Sequence, residues 1–251
     1  MRLVARWSAL LLSTLCAAAF AQGFPDKPIR VVVPYAPGGG TDNLVRIIAP
    51  TVGSALGQQL IIENRPGGAS NIGSEIVAKA SPDGYTLLAT DLAFLVNPGL
   101  FKAKMPFDTV KNFTGVTMLA FAPVILVTHP SVPAANLAEL LAQARAKPGA
   151  LNYASGGYGA STHLAGELLN QAAKVSITHV PYKGTGPAMT DLLAGQVQMQ
   201  FAGISSARQH VEAGKLRAIA VTGKHRNPAM PNVPTFDESG VAGIDADTYW
   251  G

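Results

Sequence analysis

From residue 29 onward, short apolar runs alternate with amphipathic segments. Ile29 to Val33 is apolar apart from Arg30 and is closed by Pro34, which reads as a buried strand. A Gly-rich loop follows, Pro37 to Asp42. Leu44, Val45, Ile48, Val52, Ala55 and Leu56 then recur at helical spacing. Leu60 to Ile62 predicts the next strand. Pro66-Gly67-Gly68 opens a loop, and Ile72, Ile76, Val77 and Ala80 mark a second helix. Pro82-Asp83-Gly84 is a turn, and Tyr85 to Thr90 predicts a third strand. Strand–helix repetition of this kind predicts a mostly parallel sheet with helices on its faces.

The stretch Val116 to Thr128 is apolar but interrupted by Pro123, and predicts either a long strand or a crossover. The rhythm then restarts. Asn136, with Glu139 three residues on, has the form of a capping box, and Leu137, Leu140, Leu141 and Ala144 give the helix after it an apolar face. Further strands are expected at 151–154, 177–180, 197–201 and 216–221. Helices are expected near 162–171, 187–194 and 206–213. Two α/β units result, dividing near Phe121–Val127: residues 22–123 form a first lobe, 124–245 a second, and 246–251 the start of a crossover back to the first.

The N-terminus is set apart from this rhythm. Arg2 and Arg6 precede an apolar run, Trp7 to Ala18, and Ala19-Phe20-Ala21 has the form of a cleavage site. Residues 1–21 therefore read as a signal peptide cleaved after Ala21, and the mature chain is expected in the periplasm. The single cysteine, Cys16, falls inside this segment. The mature chain then has no disulfide, no thiol nucleophile and no Cys-bound zinc. Loss of Arg2 and Arg6 leaves 17 basic against 15 acidic side chains, a weak net charge with no basic run. Nucleic acid is a poor partner for such a chain.

The candidate chemistry lies in loops after strands. Pro37, Gly38, Gly39, Thr41 and Asp42 follow the first strand. Ser155, Gly156, Gly159, Ser161, Thr162 and His163 follow the first strand of the second unit, and Tyr182, Lys183 and Gly184 follow the next. In parallel α/β sheets this is the edge where ligands bind. Each loop also opens a helix whose first amides lack partners, an arrangement that favours an anion such as a carboxylate. The hydroxyls of Thr41, Ser161 and Thr162 can cap a helix or touch a ligand. Asp42, an acid in the first helical turn, fits capping the helix or orienting the loop better than contact with an anion. Lys183 can pair with a carboxylate or sit in solvent. Tyr35, Thr90, Phe94, Tyr158, Tyr182 and Phe201 stand near the expected cleft edge, where an aromatic is either core or lining.

Enzyme signatures are weak. Ser155 does not sit in a nucleophile elbow, Gly38-Gly39-Gly40-Thr41 lacks the lysine of a P-loop, and His163 with Glu167 is too small a set for a metal. No cofactor, metal or catalytic residue is expected. A secreted α/β hydrolase and a ligand sensor acting through a membrane receptor are the competing classes.

Ordered matches run through nearly all of the mature chain. They include residues 28–39 (PIRVVVPYAPGG) with Asp42 and Arg46, 63–68 (ENRPGG), 82–88 (PDGYTLL), Asn97-Pro98, 151–155 (LNYAS), 163–167 (HLAGE), 179–184 (HVPYKG) and 214–218 (GKLRA). By these the chain resembles the Bug-type (TctC-like) solute-binding receptors of the tripartite tricarboxylate transporters. The resemblance implies a type II-like two-lobed periplasmic binding fold that captures a small carboxylate and delivers it to membrane components of the transporter, as a monomer. It implies two pincers, one of Pro37, Gly38, Gly39, Thr41 and Asp42, the other of Ser155, Gly156, Gly159, Ser161, Thr162 and His163. Tyr182, Lys183 and Gly184 would line the second lobe's wall. Ala202 and Gly203 depart from the polar pair often found there, which implies altered ligand choice. The family pattern continues past Tyr249-Trp250-Gly251 to complete the first lobe. On that pattern the chain is expected to be a truncated reading frame or a fragment, with an exposed apolar face on an unstable first lobe.

Overall fold

The structure is a computed structural model that describes residues 23–251. The expected signal peptide and its cleavage point lie outside the described residues. The first lobe is built on β1 (Ile29–Val33), which runs parallel to β2 (Leu60–Asn64) on one side and β3 (Thr86–Leu88) on the other. Helix α1 (Gly40–Leu56) links β1 to β2, and α2 (Asn71–Ala78) links β2 to β3. After β3 come α3 (Ala93–Phe101) and a 3-10 turn at Lys102–Lys104. The irregular segment that follows folds Phe107 and Phe113 onto Phe94, with ring centroids 6.1 and 4.9 Å from it. Phe94 is thus packed in an aromatic cluster.

Pro123 decides the apolar stretch before the second lobe. It has no N–H to donate to a ladder, and the chain splits there into β4 (Ala120–Ala122) and β5 (Val124–Thr128). The two strands enter different sheets. β4 pairs antiparallel with β10 (Thr248–Trp250), whereas β5 enters a five-stranded sheet of order β7-β6-β8-β5-β9. Here β6 (Asn152–Ser155) is parallel to β7 (Thr178–Pro181) and β8 (Met199–Gly203). β5 is antiparallel to β8 and β9 (Arg217–Val221). Helices α4 (Leu137–Ala146), α5 (Ser161–Ala173), α6 (Thr185–Leu193) and α7 (Ile204–Glu212) complete this lobe.

The continuous hydrophobicity of β5 follows from burial on both faces. Val124 and Leu126 enter one core with Leu140, Tyr153, Leu169 and Phe201, while Ile125 and Val127 enter the opposite core with Ala154, Leu192 and Val221. The first lobe has a much smaller core, centred on Val31, Val33, Tyr35, Val45 and Ala89.

Two expectations need correction. The apolar stripe of α1 is not buried as a whole. Val45 is buried, but Val52 and Leu56 are 36% and 39% exposed, and Ile47 of the same helix is 72% exposed. A three-stranded sheet covers only part of a 17-residue helix. The apolar helix α3 was not anticipated. Its sequence AFLVNPGLF shows no amphipathic period and contains Pro98, so neither pattern nor propensity marks it. Element ends elsewhere differ from the sequence reading by a few residues; the third strand is Thr86–Leu88 rather than 85–90.

Candidate functional site

Four helices aim their N-termini at one gap between the two sheets. Their N-caps are Gly39 (α1), Ala160 (α5), Gly184 (α6) and Gly203 (α7), and none supplies a side-chain acceptor to its helix. All four line the same cavity of about 30 Å³, together with residues of both lobes such as Tyr35, Thr41, Asp91, Gly156, Ser161 and Trp250. That volume is room for on the order of two waters. Among the described residues no Lys, Arg or His lines it. The positive potential inside therefore comes from main-chain dipoles, each equivalent to roughly half a charge at a helix N-terminus. A larger open groove, about 860 Å³, runs along the outer side of α1 and β2, and no helix N-terminus lines it.

Buried polar contacts set the shape of each loop. In the first, Asp42 accepts from Gly38 N–H (3.0 Å), Arg46 Nε (3.0 Å) and Asn64 Nδ2 (2.9 Å). Asn64 Nδ2 also donates to Tyr35 O (3.0 Å). Burial pushes the Asp42 carboxyl up, but the hydrogen bonds from Arg46, Gly38 and Asn64 outweigh it and hold the group below its ordinary range. Asp42 thus orients the loop from behind. Thr41 faces the gap and accepts from Trp250 Nε1 (3.1 Å), so its hydroxyl does not cap α1.

In the second loop, Gly156 N–H donates to Thr162 Oγ1 (3.0 Å) and Gly159 N–H to His163 Nδ1 (3.2 Å). Ser155 Oγ and His179 Nε2 are joined by a hydrogen bond of 2.6 Å, and His179 stacks on His163 with centroids 4.2 Å apart. Burial, with His163 adding repulsion, pushes the His179 imidazole down to about 4; burial also lowers His163. Both rings are neutral supports at pH 7.

The loops also touch across the gap. Ala36 N–H donates to Lys183 O (2.8 Å). Gly184, at φ +136°, passes so near Ala36 that a Cβ on it would lie 3.1 Å from Ala36 N. Gly159, at φ +79°, lies against α3, with its missing Cβ 2.7 Å from Asn97 Oδ1. These positions need glycine both for backbone conformation and for close approach.

Of the residues singled out from the sequence, Tyr35, Gly39, Thr41, Gly156, Ser161, Thr162 and Gly184 line the gap together. Pro37, Gly38, Asp42, Gly159 and His163 shape the loops from outside it. Thr90 is buried behind it, its backbone paired with that of Gly251 (2.9 and 3.1 Å). Four placements correct the sequence reading. Phe201 is fully buried between Tyr153 and Phe236 and belongs to the core. Ser155 is fully buried, with its hydroxyl committed to His179 and Gly157, and Tyr182 turns its hydroxyl to Asp191 (2.7 Å). Lys183 contributes its carbonyl while its side chain is exposed. The sequence reading did not single out Asp91, Val124, Ala160, Thr185, Thr248 or Trp250 as cleft lining. Trp250 arrives by the β10–β4 pairing, a contact between distant parts of the chain with no local signal.

Among the described residues no carboxylate is hydrogen-bonded to the imidazole of the Ser155–His179 pair, and its hydroxyl is buried, so the pair lacks the form of a nucleophilic site. Among the described residues no group of three or more His, Cys, Asp or Glu could hold a metal, and no helix is long and apolar enough to cross a membrane.

Residues 44–251 match the family described as tripartite tricarboxylate transporter family receptor, TctC. The chain belongs to the TctC family. Among its relatives, a UPF0065 protein encoded in the tcbD-tcbE intergenic region of Pseudomonas sp. (strain P51) is 38% identical over 92% of this chain and 68% of its own length. Two solved TctC-like structures superpose closely. The periplasmic binding protein BugD has 35% identity and a TM-score of 0.87, covering 91% of this chain and 76% of its own. MatC from Rhodopseudomonas palustris, solved with bound malate, has 34% identity and a TM-score of 0.85, covering 91% and 78%. Both carry the two-lobed α/β binding fold seen here.

Proposed function

We propose that this TctC-family chain is a periplasmic solute receptor, not an enzyme, that closes two lobes around a small carboxylate and hands it to membrane components of a transporter. One observation carries the reading: four helix N-termini without side-chain caps meet in a gap between the lobes that no basic side chain among the described residues lines. Unpaired amides pointing into a low-dielectric gap favour a compact anion. The malate bound to the related MatC has that chemistry. Capture requires the loops to part and close again, because the present gap is too small for such a solute. Tyr35, Gly39, Thr41, Gly156, Ser161, Thr162 and Gly184 would make the contacts. The expected Sec-type leader and the family's periplasmic members support export.

Isothermal titration against a panel of small carboxylates tests this. At least one should bind, and substituting Gly156 with Val, which narrows the gap beside Thr185, should weaken it. Binding to none of the panel by a folded protein would refute the reading.

A further inference from the structure

Asn97 of α3 meets the second loop across the lobes, and one atom of its side chain is left without a partner there. The residue is 1% exposed. Its Nδ2 donates to Ala69 O (2.6 Å) and Asn71 Oδ1 (3.1 Å), with Ser70 Oγ 3.3 Å away. Ala69 O is a carbonyl and can only accept, so the amide nitrogen belongs on that side and the oxygen on the other. Oδ1 is buried and accepts from none of the described residues. It faces Gly159, on which a Cβ would lie 2.7 Å away. The glycine backbone is therefore too near for a water to sit between them.

Neither side can relieve the mismatch while the lobes meet. The turn that the amide braces is left-handed at two residues other than glycine, Ala69 at φ +54° and Ser70 at φ +71°. Flipping the amide would set its oxygen against the Ala69 carbonyl. Gly159 gives its N–H to His163 Nδ1 (3.2 Å) within its own lobe and has no donor to offer. With φ at +79° and Leu100 Cδ1 3.2 Å from the same point, position 159 has no room for a polar side chain. Asn97 and the turn at Ala69, Ser70 and Asn71 belong to the first lobe, whereas Gly159 belongs to the second. Parting the lobes leaves the amide's own bonds intact and opens Oδ1 to water. A buried acceptor without a donor costs a factor of about 5 to 150 in an equilibrium constant, and only the closed arrangement bears that cost.

We propose that Asn97 is an opening spring, whose stranded oxygen penalises the closed arrangement, keeps the unliganded receptor open and eases solute release. The inference rests on the capture reading above and names a conformational regulation of that site.

Titration calorimetry tests it, with whichever of malate, succinate, adipate and butyrate binds the unmodified protein most tightly. Asn97→Ala removes the oxygen. It also removes the bonds to the turn, but open and closed forms lose those alike. The melting point should therefore fall while the probe binds at least about threefold more tightly. A purely structural residue would lower the melting point and leave affinity unchanged or weaker. Either of those results in a folded variant overturns the proposal and leaves the capture reading intact. Small-angle X-ray scattering from the unmodified protein is a second check, which holds even where the variant fails to fold. Its radius of gyration should fall when the same probe is added. An unliganded form already as compact as the saturated one overturns the spring. Binding of no carboxylate at all defeats the capture reading and this inference with it.

Discussion

Gly186 stands in the first turn of α6, where it faces the opposite lobe rather than its own. A Cβ added there would collide with the Pro37 carbonyl oxygen and lie 3.2 Å from Gly38 C and 3.3 Å from Gly39 N. All three atoms are backbone, so no flexible side chain can swing aside. Its φ is not in the left-handed region, so alanine is compatible with the local helix. Gly186→Ala should therefore act with two signs. Within the second lobe it replaces glycine by a better helix former, a gain of up to about 1 kcal/mol. In the closed state it overpacks a tight contact, which costs about 1–3 kcal/mol. Only the closed state bears that second cost, so it falls on ligand affinity, a loss of about 5- to 150-fold. Calorimetry with any carboxylate that binds the unmodified protein, alongside a thermal melt without ligand, checks both signs. Affinity unchanged within about twofold in a folded variant would refute the claim that Gly186 meets the first loop in the liganded state. A lowered melting point with unchanged affinity would show that the contact governs folding instead.

Other consequences are local. Gly166 of α5 packs on the Tyr153 ring, which is fully buried, and a Cβ there would overlap it; Gly166→Ala should lower stability by about 1–3 kcal/mol in urea unfolding despite its better helix propensity. The depressed pKa of His179 means that the unfolded chain, with its ordinary value near 6.5, takes up a proton before the folded one does. This imidazole's contribution to stability is complete above pH 6.5 and should fall as pH drops toward 4, and His179→Gln should flatten the melting-temperature profile over that window. Glu139 N–H donates to Asn136 Oδ1 at 3.0 Å, so Asn136→Ala should cost about 1 kcal/mol and leave solute binding unchanged.

Much of the second lobe was legible in the sequence because its signals are local. The uninterrupted apolar run of β5 reflects burial on both faces. Asn136 with Glu139 marked the start of α4 by a hydrogen bond spanning three residues. The loops at 37–42, 155–163 and 182–184 were visible because strand, glycine and helix follow one another within a few positions, and Asp42's orienting role followed from its place in the first turn of α1. Period and turn chemistry are short-range properties, so a linear reading reaches them.

Side-chain destinations were decided by the tertiary structure. Phe201, in the middle of β8, points between Tyr153 and Phe236, while Tyr35, just past the end of β1, turns its hydroxyl to Asp91 in the gap. Strand alternation sends neighbouring residues to opposite faces, but which face meets a core and which a cleft depends on the layers that cover it. Asp91 and Trp250 are 159 positions apart and reach one gap only through strand pairing around β10. Residues 44–56 announced a helix with a broad apolar stripe, and the three-stranded sheet beneath it buries Val45 but leaves Val52, Ala55 and Leu56 exposed. Local spacing specifies which elements form; burial and charge balance are properties of surfaces that meet across the fold, and those surfaces exist only once the chain has packed.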